Sequence, residues 1–195
     1  MNRTAIPARL ARLFVGITLS EPARTACAQA AQRLRAAGFD AKYEDPTKLH
    51  VTLAFLGNVD RSRCDEIAAA MQRGSEPCSA FELSLDKLGA FPHERRPRVV
   101  YVGSRRQGVA FRTLAAAVRD AYRSLGFAFD DDAVAHVTIA RVKRGRRPLP
   151  SIEVGPATLA VANVALFEST FEPGKNTSRY EVVARHALRP CAHGE

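Results

Sequence analysis

A four-residue motif occurs twice in the chain and limits the folds open to it. His50–Leu53 reads HVTL and His136–Ile139 reads HVTI, with the two histidines 86 residues apart (136 − 50). In each half, a helical pattern ends at a glycine, Gly38 or Gly126, and the histidine motif follows. The repetition predicts two halves of similar construction, each with a helix followed by a strand that carries the motif.

The spacing of apolar residues predicts strands and helices in alternation. We expect strands at Arg12–Ile17, His50–Leu56, Ala80–Leu85, Arg98–Gly103, Ala135–Val142, Thr158–Phe167 and Arg179–Leu188. We expect helices at Ala23–Ala37, 61–73 and 109–125, and loops at Pro92–Pro97, Gly145–Pro150 and Glu172–Ser178. Ser20 and Asp60 are the expected N-caps of the first two helices, and Gly57-Asn58 is expected to close the first motif strand. This order predicts an α+β or α/β fold.

Length and composition are those of an ordinary globular chain. With 195 residues, 46% hydrophobic and 25% charged, the chain can form one large domain or two small lobes that share a core. Residues 1–11 read as a short basic leader, and no apolar run approaches the roughly 20 residues that cross a bilayer. Four cysteines without a C-x-x-C pair predict free thiols and a cytoplasmic location.

The charge balance is basic. The chain has 29 Lys plus Arg and 20 Asp plus Glu, a formal net charge of +9. A positive field favours polyanions such as nucleic acid or phosphorylated ligands. An arginine-rich composition is also typical of a GC-rich genome, so the charge alone leaves the partner open.

The duplicated motif has a chemical reading. Residues i and i+2 of a strand point to the same face, so His50 and Thr52 share one face, as do His136 and Thr138. Two such strands side by side would surround a phosphate with two imidazoles and two hydroxyls. One imidazole can act as a base while the other acts as an acid, and hydroxyls can hold the phosphate oxygens. A single H-x-T is usually structural, but two copies in matching halves favour catalysis.

These motifs and their flanking residues resemble the 2H phosphoesterase superfamily, and within it the RNA 2′,3′-cyclic phosphodiesterases once called 2′-5′ RNA ligases. The matching segments include 12–15, 49–57, 88–92, 98–103, 136–141, 167–169 and 179–182. The resemblance implies one bilobal α+β domain over residues 1–195, with two pseudo-twofold-related lobes. It further implies antiparallel sheets around a central cleft, with helices outside.

The resemblance also implies an activity. An RNA with a terminal 2′,3′-cyclic phosphate would be hydrolysed to a 2′-phosphate without metal or other cofactor. By family analogy His50 is the proton donor and His136 the proton acceptor, although the near symmetry of the halves leaves that order open. Thr52 and Thr138 would assist in the same site, and Arg141 would contact the phosphate or RNA backbone.

Four aromatic residues are candidates for lining the cleft, namely Tyr43, Phe55, Phe91 and Tyr180. The chain departs from the family pattern in having Ala135 where proline often precedes the second histidine, and it contains no tryptophan. His93, His186 and His193 form no metal-binding pattern, and the acidic run Asp130–Asp132 reads as a solvated loop.

Other functions stay open at this point. The same site could act on 2′-5′ linked oligonucleotides, in hydrolysis or ligation, or on small cyclic phosphates. A third possibility is an RNA-binding module without catalysis, although a binder needs neither proton donor nor acceptor. We expect RNA as the partner, no membrane, no obligate protein partner and a monomer.

Overall fold

Strands and helices alternate along the chain in the computed structural model, which describes residues 7–106, 108–130, 132–142, 147–171 and 178–191. The strands are β1 (Leu10–Thr18), β2 (Lys42–Tyr43), β3 (His50–Asp60), β4 (Phe81–Leu85), β5 (Lys87–Phe91), β6 (Val99–Gly103), β7 (His136–Arg141), β8 (Ala157–Val161), β9 (Asn163–Phe171) and β10 (Ser178–Ala187). The helices are α1 (Glu21–Ala36), α2 (Cys64–Ser75) and α3 (Val109–Arg123), with short 3₁₀ turns at Pro46–Lys48 and Arg61–Arg63.

Some predictions fall outside the described residues. They concern residues 1–6 of the leader, Asp131 in the acidic run, 145–146 in the basic turn, 172–177 in the turn-rich segment, and His193.

One antiparallel sheet brings the two halves of the chain together. Its strand order is β10-β9-β1-β3-β7-β6-β5, and β2 also pairs with β7. At its centre, the two motif strands meet where Val51 pairs with Val137. Strands β4 and β8 form a separate two-stranded sheet. The predicted α+β class with antiparallel sheets is confirmed, while a single domain over residues 1–195 stays a prediction.

The two faces of the main sheet have different roles. Val51 and Leu53 are fully buried, as are Val137 and Ile139, and they join the core under the helices. α1 packs against β7 and β8, α3 packs against β3, and α2 packs against α3. The motif histidines and threonines alternate with these residues and are only partly buried. The helices therefore cover one face, and the other face stays accessible.

Both long helices that precede a motif end in the same way. Gly38 follows α1 with a φ of 69°, and Gly126 follows α3 with a φ of 88°, which is left-handed backbone that glycine adopts readily. The N–H after each glycine donates to a carbonyl five residues earlier, at 3.2 Å for Phe39 and 3.1 Å for Phe127. This is the Schellman arrangement, and it confirms the predicted glycine stops in both halves.

The predicted strand Thr158–Phe167 is wrong. The strand is interrupted at Ala162, which separates β8 from β9. β8 pairs with β4, and β9 lies in the main sheet between β1 and β10. The Ala162 carbonyl accepts a hydrogen bond from the Leu188 N–H at 2.9 Å. A continuous apolar run has no turn signal at this point, so its pattern cannot reveal that the two ends enter different sheets.

The predicted end of the first motif strand at Gly57-Asn58 is also wrong. β3 continues to Asp60. Gly57 has a φ of 75° and lies at a shift in the pairing with β1, where Leu56 is an extra residue. Glycine thus forms a bulge inside the strand, a second use of left-handed backbone besides a turn.

The two predicted N-caps differ in the structure. Asp60 accepts the Ser62 N–H at 3.0 Å and caps the 3₁₀ turn that leads into α2. Ser20 occupies the N-cap position of α1, but its side chain makes no capping hydrogen bond. Of the two side chains, only that of Asp60 accepts from a backbone N–H that the turn of helix leaves unpaired.

Candidate active site

An extra residue in β3 determines which of its side chains reach the accessible face. Thr52 and Ala54 pair with consecutive residues of β1, which leaves Leu53 as a bulge. The bulge reverses the alternation of the strand, since one extra residue shifts it by half a period. Phe55 therefore lies on the same face as His50 and Thr52, and 51% of it is exposed.

The second motif strand has the same irregularity. Thr138 and Ala140 pair with consecutive residues of β6, which leaves Ile139 as a bulge. Arg141 is therefore turned to the face of His136, as Phe55 is turned to the face of the other histidine. The two halves share one backbone plan, but the fifth position after the histidine is aromatic in one and cationic in the other.

The antiparallel contact between β3 and β7 interleaves the two motifs. Val51 pairs with Val137, and the strands are antiparallel. The residues next to the paired valines therefore face each other, so His50 lies beside Thr138 and Thr52 lies beside His136. Each histidine is therefore next to the threonine of the other half. All four side chains line one cleft with a volume of about 770 Å³.

Both imidazoles are held by the same kind of contact. The Nδ1 atom of His50 lies 2.7 Å from the Lys48 carbonyl oxygen, and Nδ1 of His136 lies 2.8 Å from the Val134 carbonyl oxygen. A carbonyl can only accept, so Nδ1 carries the proton and donates it. Nε2 of each ring is then the atom that can accept or deliver a proton.

Aromatic rings fix the position of His50. Its ring centroid lies 4.7 Å from Phe14, 5.3 Å from Tyr180 in a perpendicular arrangement, and 6.0 Å from Phe167. Phe14 and Phe167 also stack on each other at 4.8 Å. Such packing restricts the rotation of the imidazole.

A different pair of rings holds His136. Its centroid lies 5.1 Å from Phe91 and 5.4 Å from Tyr101. The Tyr101 ring lies over Gly89, where a Cβ atom would come within 2.5 Å of the ring. The glycine on β5 thus makes room for the ring that supports the histidine on β7.

Burial lowers the pKa of both histidines from the ordinary value of 6.5. The hydrogen bonds to the Lys48 and Val134 carbonyls oppose that effect by favouring the charged rings. A charge on His136 lowers the pKa of His50 further. Two adjacent imidazoles therefore disfavour the state in which both are protonated, and the state with one proton suits acid–base catalysis.

The structure places all but one of the predicted site residues at the cleft. Described residues that line it are Arg12, Phe14, Lys42, Glu44, Lys48, His50, Thr52, Phe55, Phe91, Val99, His136, Thr138, Arg141, Ser169, Thr170, Phe171, Ser178 and Tyr180. Sequence reasoning had not singled out the positive side chains of Arg12, Lys42 and Lys48. Arg12 lies over the ring of Phe55, with its guanidinium carbon 5.0 Å from the centroid.

Tyr43 does not line the cleft, and the prediction that it does is wrong. Its hydroxyl donates to the Phe39 carbonyl at 2.8 Å, and Arg35 lies over its ring at 4.6 Å. It faces a separate cavity of about 130 Å³ beside α1. Strand alternation explains the difference, because Lys42 on the same strand faces the cleft.

Glu44 is the cleft residue that sequence reasoning missed most completely. Its carboxylate accepts a hydrogen bond from Nε of Arg141 at 2.8 Å. The two residues are 97 positions apart, and they meet because β2 pairs with the end of β7. No local pattern carries that information.

No group of three His, Cys, Asp or Glu side chains comes together as a metal site within the described part of the chain. Among the described helices, none is long and apolar enough to cross a membrane.

Comparisons with known proteins agree on one family. The model described as LigT like Phosphoesterase matches residues 17–101. A protein of Archaeoglobus fulgidus named RNA 2′,3′-cyclic phosphodiesterase is 36% identical over 134 residues, which is 68% of this chain and 73% of that protein. A protein of the same name from Methanothermobacter thermautotrophicus is 30% identical over 174 residues, 83% of this chain and 91% of that protein.

Solved structures share the fold. The protein TT0787 of Thermus thermophilus superimposes with a TM-score of 0.76 at 27% identity, covering 92% of this chain and 98% of that one. Escherichia coli LigT without ligand superimposes with a TM-score of 0.70 at 25% identity, covering 93% and 99%. LigT has also been solved with phosphate and with 3′-AMP.

Proposed function

The chain belongs to the LigT-like family of 2H phosphoesterases, and from this premise we propose that it hydrolyses an RNA-terminal 2′,3′-cyclic phosphate to a 2′-phosphate. The relatives from three organisms that carry the name RNA 2′,3′-cyclic phosphodiesterase support this substrate. The observation that carries the proposal is the pair of histidines at one cleft, each fixed through Nδ1 so that Nε2 is the reactive atom.

The reaction needs one base and one acid. In the proposed step, neutral His136 removes a proton from water, and the water oxygen forms a bond to phosphorus. The bond between phosphorus and O3′ breaks, and protonated His50 gives its proton to O3′. The product keeps the phosphate on O2′, and the two rings exchange protons with solvent before the next turnover.

Three further side chains would act on the phosphate. The hydroxyls of Thr52 and Thr138 would donate to non-bridging oxygens, and the strand register supports this role because it sets each threonine beside the histidine of the other motif. Arg141 would place positive charge near the developing negative charge, with its guanidinium anchored through Nε by Glu44.

The aromatic residues of the cleft divide into two groups. Phe91 and Tyr180 pack against the histidines and hold them in place. Phe55 is half exposed at the cleft, so we assign it the contact with a nucleobase. The positive net charge of +9 supports RNA as the polyanion that reaches the site. A monomer acting in the cytoplasm is part of the same proposal.

The experiment uses an RNA oligomer that ends in a 2′,3′-cyclic phosphate. Protein treated with a chelator is incubated with this RNA, and the terminus of the product is identified by mass and by resistance to enzymes that require a 3′-phosphate. We expect a 2′-phosphate without added metal. A 2′-5′ linked dinucleotide and a mononucleotide cyclic phosphate serve as parallel substrates.

Three outcomes would contradict the proposal. A 3′-phosphate product would mean that the bond between phosphorus and O2′ breaks instead. Faster turnover of either parallel substrate would mean that the RNA-terminal cyclic phosphate is not the preferred substrate. Binding without turnover of any of them would favour the non-catalytic module. The control variant is His186→Ala, which removes a histidine that lies on β10 away from the cleft lining and should leave turnover unchanged.

A further inference from the structure

Glu44 carries the one carboxylate among the described residues that line the cleft. The other charged or titratable side chains that line the cleft lie on β1, β2, β3, β7 and β10 and in the 3₁₀ turn before β3: Arg12, Lys42, Lys48, His50, His136, Arg141 and Tyr180. On β6, the Tyr101 ring contacts His136 at 5.4 Å. A single negative charge in a cleft that must hold an anionic phosphate weakens substrate binding unless it serves another purpose. Its contact with Arg141 indicates what that purpose is.

The position of Glu44 is asymmetric with respect to the two histidines. β6 runs along one edge of β7, and β3 and β2 follow one another along the other edge. The Glu44 N–H donates to the Ile139 carbonyl at 2.9 Å, which extends the β2 pairing by one residue. Glu44 therefore lies on the edge of β7 that carries His50, and no described carboxylate lines the cleft from the β6 edge.

We propose that Glu44 is a positioning residue that gives the two histidines different roles. It holds the Arg141 guanidinium through Nε and places negative charge on the side of His50, which favours the protonated form of the ring that gives its proton to the leaving oxygen. The inference rests on the proposed function and adds the reason for the order of acid and base, which the duplicated motif leaves open.

Two consequences follow from this arrangement. Because Nε of Arg141 is engaged by Glu44, the rotation of the guanidinium is restricted, and its terminal N–H groups would be the donors to a phosphate. Burial and the charge of His136 lower the pKa of His50, and the Glu44 carboxylate opposes them by raising it, whereas Arg141 lowers the pKa of both histidines. Removal of the Glu44 charge should therefore make His50 harder to protonate and leave His136 less affected.

The first test is the pH dependence of kcat/KM in Glu44→Gln and Glu44→Ala. At low pH the rate depends on the loss of a proton from His136, so Glu44→Gln should match the wild type there. At high pH the rate depends on the proton of His50, so Glu44→Gln should lose activity severalfold. The amide oxygen of Gln can still accept a hydrogen bond from Arg141. This variant therefore removes the negative charge of Glu44 and keeps its contact with Arg141.

Glu44→Ala removes the anchor as well. Its kcat/KM should fall by about two- to fivefold across the whole pH range, because Arg141 is more than half exposed and the ion pair is correspondingly weak. The matched control is Glu66→Gln on α2, which removes an equally short ion pair with Arg63 and should leave the profile unchanged. Equal pH profiles for Glu44→Gln and the wild type would overturn the inference.

A second measurement needs no turnover. NMR titration of the histidine rings in the free protein should show a lower midpoint for His50 in Glu44→Gln than in the wild type, with a smaller change at His136. If the wild type fails to hydrolyse the cyclic phosphate, the proposed function fails, and this titration still decides the role of Glu44. An unchanged His50 midpoint would contradict it.

Discussion

A methyl group at Gly16 should impair catalysis by moving the first motif strand. Gly16 lies on β1, directly opposite Thr52 of β3. A Cβ atom there would lie 2.6 Å from the Val51 carbonyl oxygen and 3.6 Å from Cδ2 of His50. The carbonyl belongs to the peptide between Val51 and Thr52, so it cannot rotate away as a side chain would.

The size of the displacement follows from these distances. The contact must lengthen from 2.6 Å to at least 3.0 Å, and to 3.4 Å for ordinary van der Waals contact. The backbone at the motif must therefore move by 0.4 to 0.8 Å. Misplacement of a reacting group by about 1 Å can cost on the order of 10²-fold in rate, so we expect kcat of Gly16→Ala to fall by roughly 10- to 100-fold.

The assay compares kcat on the cyclic phosphate with the thermal stability of the same protein. Gly16→Ala should lose about 1 to 3 kcal/mol of stability from the local strain and still fold. The control is Gly155→Ala, where a Cβ atom meets nothing within 4 Å. Unchanged kcat in a folded Gly16→Ala would refute the argument that the spacing of β1 and β3 sets the position of His50.

Three further predictions concern titration and substrate contact. Burial lowers the pKa of both His50 and His136, so the kcat/KM profile should be bell-shaped with its maximum below the ordinary value of 6.5; a maximum on the alkaline side would contradict it. The same pKa shifts mean that the unfolded state binds more protons, so the free energy of unfolding, measured in urea, should fall as the pH drops below 6.5. The dependence should be weaker in His136→Gln than in the wild type. Phe55→Ala should raise KM by about fivefold with little change in kcat, because stacking of a base on a half-exposed ring contributes about 1 kcal/mol of binding free energy. A large loss of kcat would show that Phe55 acts in chemistry.

The duplicated motif was sufficient to predict the face that carries the site. Strand alternation has a fixed period, so His50 and Thr52 had to share a face wherever the strand lay. The glycine stops of α1 and α3 were equally local, because Gly38 and Gly126 each satisfy the end of their own helix. Local rules of this kind account for the correct part of the fold.

Long-range pairing accounts for the rest. The positions of Tyr43 and Glu44 depend on the register of β2, which pairs with residues of β7 almost a hundred positions away. No local pattern predicts that register, so neither position follows from the sequence. The break at Ala162 lay inside an apolar run, where only the pairing of β8 with β4 separates the two strands.

The central claim is that His50 and His136 are the acid and the base of one reaction. Both His50→Ala and His136→Ala should lose about 10²- to 10⁴-fold in kcat on the normal substrate. A cyclic phosphate with sulfur in place of the bridging O3′ has a leaving group that departs without a proton. This substrate should restore most of the rate to His50→Ala and none to His136→Ala. Equal rates for the two variants on the sulfur substrate would contradict the division of roles, and a normal rate for either variant on the oxygen substrate would contradict the two-histidine mechanism itself.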